Sequence, residues 1–246
     1  MKISLITISY NSAKTIEKTI QSVLSQTYTD IEYIIIDGTS TDGTLEIINK
    51  YKDKITKIIS EKDKGIYDAM NKGIFLATGD VVGIINSDDF YIDEFSIAKV
   101  IDYFEKNNVG ACYANLEYVD RENIDKKVRS WRAGEYDQKK LSSGWIPPHP
   151  TFFVKKQIYE KYGKFNLDFS IAADYELMLR FLLKGIKIGY IDEYLVCMRE
   201  GGHSAKSVRQ RFRGWQEIRK SWQVNNKKVP NFLIFRRILS KLSQYV

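Results

Sequence analysis

Two hydrophobic periodicities alternate along the first hundred residues, and this alternation restricts the chain to one class of fold. The runs Ile3–Ser9, Ile31–Asp37, 55–60 and Val81–Asn86 are short, apolar and rich in β-branched residues. Such runs read as strands buried on both faces. Helical patterns lie between them. Asn11 or Ser12 caps a helix with Ile16, Ile20, Val23 and Leu24 on one face, and Thr41-Asp42-Gly43-Thr44 opens a second with Leu45, Ile48 and Tyr51 inward. A third helix spans 65–77. Short joins between alternating elements call for a parallel sheet with helices on both faces, an α/β fold.

After a helix at 95–107 the rhythm changes. Residues 110–119 and 127–132 read as an antiparallel hairpin turning at Arg121-Glu122-Asn123. Three of the four prolines fall in Ile146-Pro147-Pro148-His149-Pro150, a stiff irregular segment suited to a hinge or pocket wall. Residues 174–184 form a helix stopped by Gly185, and 187–198 form a strand pair or a long edge strand. The expected division is a nucleotide-type half at 1–110, an acceptor-type half of the same domain at 111–204, and a tail at 205–246. MKISLITISY lacks the pattern of a cleaved leader, and no 18-residue apolar stretch occurs, so a cytoplasmic location is expected. Cys112 and Cys197 have no C-x-x-C partner, which argues against a zinc site or disulfide.

Four expected strands end in polar residues: Ser9-Tyr10-Asn11, Asp37-Gly38, Glu61-Lys62-Asp63 and Asn86-Ser87-Asp88-Asp89. In an open parallel sheet, strand ends on one edge share a crevice, so these clusters are expected to be neighbours. Tyr10 has the ring to stack on a base, and Asp37 or Asp63 has a carboxylate for a base N–H or a ribose hydroxyl. Adjacent Asp88 and Asp89 repel each other, and a divalent cation on phosphate oxygens relieves that repulsion. Each residue also has an ordinary structural reading: a strand-end aromatic, a helix cap, a solvated acidic turn. No G-x-G-x-x-G follows the first strand and no G-x-x-x-x-G-K-[ST] occurs, which excludes dinucleotide dehydrogenases and P-loop enzymes. Hydrolytic nucleophile motifs are absent as well.

The stretches SLITISYNSAKTIEKTIQSVLSQTY, IEYIIIDGTSTDGT and SEKDKGIYDAMNKGIFLATGDVVGIINSDD, followed by HPTFF, AADYEL and REGGHS, resemble the family 2 glycosyltransferases of bacterial polysaccharide assembly. That resemblance implies a GT-A fold: a Rossmann-like, mostly parallel central sheet with helices on both faces, a small antiparallel addition and C-terminal helices. It also implies a nucleotide-diphosphate sugar donor (a UDP-sugar favoured), a divalent metal (Mg²⁺ or Mn²⁺) and inversion at the anomeric carbon. Carried onto this sequence, Ser9, Tyr10, Asn11, Asp37, Asp63, Lys64 and Asp88 would bind the nucleotide sugar. Asp88 and Asp89 would hold the metal, with Asp89 the more direct ligand, and Asp174 would be the general base. A cap at a helix start is the ordinary reading of Asp174. Tyr175 and His149 would shape the acceptor pocket.

Two departures from the family pattern stand out. Asp37 is followed by Gly38 where the family often has a second acid, which leaves the nucleotide open. Asn86 stands where the paired-acid signature usually begins. His149 and His203 are the only histidines. His203, between the flexible pair Gly201-Gly202 and Ser204, is a candidate for the metal or diphosphate.

From Arg199 onward twelve Lys or Arg face two Glu, so the net charge of +7 belongs to the tail. Phe232, Phe235, Leu239, Leu242 and Val246 recur at helical spacing opposite Arg236, Arg237, Ser240, Lys241 and Gln244, and Trp215 and Trp222 lie upstream among further arginines. This pattern suits a helix lying on the anionic inner face of the membrane, next to a lipid-linked saccharide acceptor. Packing on the catalytic domain or in a homodimer is the competing reading. No nucleic-acid signature accompanies the charge, so nucleic acid is not expected as a partner.

Overall fold

Alternate residues of the first strand face opposite sides of the molecule, and two cores form as a result. The computed structural model describes residues 1–201 and 208–242. In β1 (Ile3–Ser9), Ile3 and Leu5 enter one core while Ile6 and Ile8 enter the other. β2 (Ile31–Asp37) repeats this with Tyr33 and Ile35 against Ile34 and Ile36. Both strands are buried almost throughout, as expected of the centre of a parallel sheet.

Among the described residues nine strands form one sheet. β3 (Lys57–Ser60), β2, β1 and β4 (Val81–Asn86) are parallel neighbours in that order. β8 (Phe153–Lys155) is antiparallel to β4 and joins it to β6 (Ala111–Val119), which pairs in parallel with β9 (Ile188–Arg199). β5 (Phe90–Tyr91) closes that edge against β9, and β7 (Lys127–Trp131) makes an antiparallel hairpin with β6. Helices α1 (Ile16–Leu24), α2 (Thr44–Asn49) and α4 (Ser96–Lys106) cover one face. α3 (Ile66–Leu76), α5 (Lys156–Tyr162), α6 (Ala173–Leu183), α7 (Val208–Val224) and α8 (Leu233–Leu242) cover the other.

Several expectations are corrected. Neither Asn11 nor Ser12 caps α1 with its side chain: the helix starts at Ile16, and the Ser12 carbonyl accepts from the amides of Thr15 and Ile16. Asn11 is left-handed (φ 49°) and is drawn to the neighbouring loop instead. The third strand is shorter than expected because residues 52–54 form a 3₁₀ turn ahead of it. Residues 188–199 form a single strand lying between β6 and β5, not a sheet edge.

The tail packs on the catalytic domain along one edge of α8 and leaves another edge open. Leu233 of α8 is 2% exposed, and the Arg237 guanidinium donates to the Gly144 carbonyl and lies 5.0 Å from the Tyr175 ring. Phe232, Phe235, Ile238 and Leu239 remain on the open side, with Phe235 61% exposed. Trp222 belongs to the core, where its indole N–H donates to the Tyr175 hydroxyl at 3.2 Å. The side chain of Leu242, and Val246 entirely, lie outside the description. No helix among the described residues is long and apolar enough to cross a membrane.

Candidate active site

The loops after β1 and β2 are laced together by hydrogen bonds. The Asn11 amide donates to Ser40 Oγ (2.8 Å), the Thr41 amide to Asn11 Oδ1 (2.9 Å), the Ser12 amide to Thr44 Oγ1 (2.8 Å) and the Ala13 amide to Asp42 Oδ2 (3.1 Å). Serine, threonine, asparagine and aspartate recur here because their short side chains can satisfy loop backbone. Asn11, expected on the nucleotide sugar, therefore staples one loop to the other. Asp37 is fully buried at the base of the lacing. Its carboxylate accepts from Ser9 Oγ (3.0 Å), the Ser40 amide (2.9 Å), Ser40 Oγ (2.5 Å) and Ser60 Oγ (2.9 Å). One carboxylate thus gathers the ends of β1, β2 and β3, and Ser9 serves the site through Asp37.

Above this base is a slot. A Cβ on Gly38 would lie 2.6 Å from Asp63 Oδ2 and 3.4 Å from Tyr10 Cδ2, so only glycine lets these side chains close over the strand end. Tyr10 is 65% exposed. Asp63 Oδ1 accepts from the Gly65 amide at 2.8 Å, which leaves Oδ2 facing the slot. An open aromatic face beside a carboxylate oxygen is a receptor for a planar, hydrogen-bonding ring. Lys64 is exposed at its rim, and its amide donates to Asp68 at the start of α3.

The acidic pair is split by burial. Asp88 keeps 28% side-chain exposure, while Asp89 is fully buried behind it. Asn86 Nδ2 donates to Asp89 Oδ2 at 3.0 Å, but Asp89 Oδ1 and Asn86 Oδ1 have no hydrogen-bond partner among the described residues. Burial, and then the charge of Asp88, push the Asp89 carboxyl well above the usual range. Asp88 is thus the more exposed member of the pair, and Asp89 lies beneath the surface. Asn86 supplies a neutral donor where another acid would add a third negative charge. Among the described residues no group of three His, Cys, Asp or Glu exists. An open carboxylate backed by an orphaned one fits a hard cation that completes its shell on diphosphate oxygens. His203, the expected assistant, lies outside the described residues.

Cations flank the pair. Arg199 at the end of β9 donates to the Asp88 carbonyl at 2.6 Å, and Arg121 approaches Asp88 Oδ2 at 3.8 Å. Ser87 Oγ lies 2.7 Å from Ser12 Oγ, joining this strand end to the laced loops.

Asp174 sits in the first turn of α6, yet it does not cap the helix. That work is done from outside by Glu217 of α7, which accepts from the amides of Ile171 (2.8 Å), Ala172 (2.9 Å) and Ser170 (3.1 Å) and from Ser170 Oγ (2.8 Å). The Asp174 carboxylate is left half-exposed, with Oδ1 3.1 Å from the Tyr67 hydroxyl, whose one proton is shared with the Ile171 carbonyl at 2.8 Å. Tyr67 lies in the first turn of α3, two residues after Gly65, so this contact joins Asp174 to the nucleotide-type half. Burial and the Asp174 charge raise the Tyr67 phenol far above its ordinary range, so it stays protonated as a donor. His149 is half-buried, 5.8 Å from the Phe165 ring, and burial lowers its pKa so that it is neutral at pH 7. Tyr175 is only 2% exposed and lies behind Asp174, not on the pocket wall.

The structure thus brings together Tyr10, Asp63, Asp88 and Asp174 as accessible groups, and Ser9, Asn11 and Asp37 as their support. Ser40, Ser60, Tyr67, Arg199 and Glu217 went unrecognised in the sequence. Ser40 stands three residues after Asp37 in a turn-forming run, which is a readable signal; Tyr67 and Glu217 act across the fold and leave none.

The family described as glycosyl transferase family 2 matches residues 4–163. UDP-Glc:alpha-D-GlcNAc-diphosphoundecaprenol beta-1,3-glucosyltransferase WfaP of Escherichia coli is 33% identical over 188 residues, covering 75% of this chain and 72% of that protein. Chondroitin synthase of Escherichia coli is 34% identical over 182 residues, 72% of this chain but 26% of the relative. The chain thus spans about a quarter of the length of that larger relative. Among solved structures, S. aureus TarS 1-349 in complex with UDP-GlcNAc superposes with a TM-score of 0.75 at 16% identity, covering 100% of this chain and 78% of that one. Mannosyltransferase PcManGT from Pyrobaculum calidifontis, with GDP-Man and Mn²⁺, superposes with a TM-score of 0.68 at 19% identity, covering 98% and 69%. At these identities the structural likeness shows the GT-A fold alone.

Proposed function

Because the chain belongs to glycosyl transferase family 2, we propose that it is an inverting enzyme transferring a sugar from a nucleotide-diphosphate donor, a UDP-sugar favoured, to a hydroxyl of a lipid-diphosphate-linked saccharide in cell-surface polysaccharide assembly. One observation carries this reading: four parallel strands end side by side with Tyr10, Asp63 and Asp88 accessible there, and Tyr67 links Asp174 to the same edge. The acceptor class follows the substrate in the name of WfaP.

Tyr10 and Asp63 receive the base and ribose, and Asp37 keeps the slot in shape. Asp174 takes the proton of the acceptor hydroxyl as its oxygen bonds to the anomeric carbon and the bond from that carbon to the diphosphate breaks on the opposite face. Tyr67 orients the base by donating to Oδ1, leaving Oδ2 for the acceptor. Neutralising charge on the departing diphosphate is what a divalent cation, Mg²⁺ or Mn²⁺, supplies when bound, with Asp88 its direct holder and Asp89 behind. Arg121 and Arg199 add positive charge to the same wall.

Peripheral association with the inner face of the cytoplasmic membrane completes the reading. Its support is the open apolar edge of α8 at Phe235 and Leu239, with Arg236 exposed beside it. The test of function is Asp174→Asn assayed against a panel of nucleotide sugars. Loss of transfer with donor binding retained is expected, and unchanged transfer would remove Asp174 as the base.

A further inference from the structure

Helix α8 carries a basic side chain with no acidic partner next to the candidate base. Arg237 is half-buried, and among the described residues no carboxylate lies within ion-pair distance of it. Among the described residues its guanidinium makes one hydrogen bond, from Nη1 to the Gly144 carbonyl, and it lies over the Tyr175 ring, one residue from Asp174. Gly144 admits this approach by taking φ +78° and having no side chain: a Cβ there would sit 3.1 Å from Arg237 Cβ. Burial disfavours the charge of this guanidinium, the Tyr175 phenol, the Asp174 carboxylate and the Tyr118 phenol offset part of that from a distance, and a guanidinium fork matches phosphate oxygens. Lys140, whose Nζ donates to the Glu135 carbonyl and lies over the Trp145 ring, adds a second cation from the adjoining 3₁₀ turn, Gln138–Ser143.

The two edges of α8 therefore face different chemistry. Phe232, Phe235, Ile238 and Leu239 are exposed, and Arg237 turns inward over the Tyr175 ring, where the charge of Asp174 also reaches it. A saccharide joined through a diphosphate to a lipid presents the same sequence: sugar, charge, hydrocarbon. We propose that Arg237 binds the phosphate of the lipid-linked acceptor, making α8 the acceptor-recognition helix. This rests on the glycosyltransferase reading and adds to it a residue and a substrate feature.

The test uses farnesyl diphosphate and farnesol as probes, titrated calorimetrically into the full chain with saturating UDP and Mg²⁺, so that the donor site is filled. The wild type is expected to bind farnesyl diphosphate at least ~tenfold tighter than farnesol, as one charge-assisted hydrogen-bonded pair allows. Arg237→Met should abolish that preference, Arg237→Lys should retain part of it, and Arg236→Met should leave it intact. UDP affinity should be unchanged in all three. Binding to vesicles containing phosphatidylglycerol should also survive Arg237→Met, which separates acceptor phosphate from a lipid headgroup. The proposal is overturned if Arg237→Met keeps the preference, if the wild type has none, or if only vesicle binding falls. Equal loss of UDP affinity in Arg237→Met and Arg237→Lys would also overturn it, by showing that Arg237 merely holds the fold. Failure of the wild type to bind UDP would overturn the reading on which it rests.

Discussion

Glu217 caps Ala172: the carboxylate of one helix accepts the backbone amide that starts another, at 2.9 Å. With the amides of Ser170 and Ile171 also bound, α7 fixes the turn from which Asp174 projects. Glu217→Ala should lower stability by about 2 kcal/mol, as expected for a buried cap with several amide donors. Transfer should fall further than donor affinity, because the acidic side chain of Asp174 loses its bearing. Thermal denaturation and donor titration on the same variant separate the two effects.

Tyr67→Phe removes the donor to Asp174 and keeps the ring that stacks on Phe165 at 5.5 Å. A ~tenfold loss in kcat is expected from one hydrogen bond to a charged group. The donor KM should hardly move. An equal change in both parameters would place Tyr67 in donor binding.

Gly38→Ala puts a methyl group 2.6 Å from Asp63 Oδ2. The Asp63 side chain must swing out of the slot, and UDP affinity should drop ~tenfold as its charged hydrogen bond is lost. The melting temperature should stay near wild type, since the crowded atoms lie at the surface end of the strand.

Glu32 predicts an acid limb of stability. Burial pushes its carboxyl up, but hydrogen bonds from Ser4 and Thr78 and the charge of Lys2 outweigh this, and the folded pKa falls to about 2. Its contribution is thus complete above the ordinary glutamate value of about 4.3 and is lost as pH falls toward the folded value. Glu32→Gln should flatten the dependence of denaturation midpoint on pH between those limits. A wild-type midpoint constant across that window would contradict the assignment.

Phe235→Glu with Leu239→Glu should abolish co-sedimentation with anionic liposomes while leaving the fold intact, because both side chains are on the open edge of α8. Deleting the tail is the poorer experiment: it would also strip the buried Leu233 from the core. Undiminished binding by the double variant would assign α8 another partner.

Period and length made the sheet centre readable. β1, β2 and β4 match their expected spans because short, β-branched, mostly apolar runs have no other stable home. Phe90–Tyr91 and Phe153–Lys155 carry too few residues to show any period, and their strands form only because β9 and β4 offer edges. The site divides in the same way. Asp63, Asp88 and Asp174 stand at element ends, where chemistry is expected. Tyr67 meets Asp174 across 107 positions, and Glu217 meets Ala172 across 45, so neither pairing has a local trace. Asn11 shows the converse: a good capping residue was taken by Thr41, a tertiary partner that local propensity does not register.

The lacing between the first two loops changes how donor recognition is divided between folding and binding. Chain segments that close around a ligand lose freedom in doing so, and the affinity is lowered by that loss. Here Asn11, Ser12 and Ala13 are already tied to Ser40, Thr41, Thr44 and Asp42. The ordering has been completed when the protein folds, so in the proposed reaction the nucleotide would meet a preorganised cradle and conformational adaptation would be left to the acceptor.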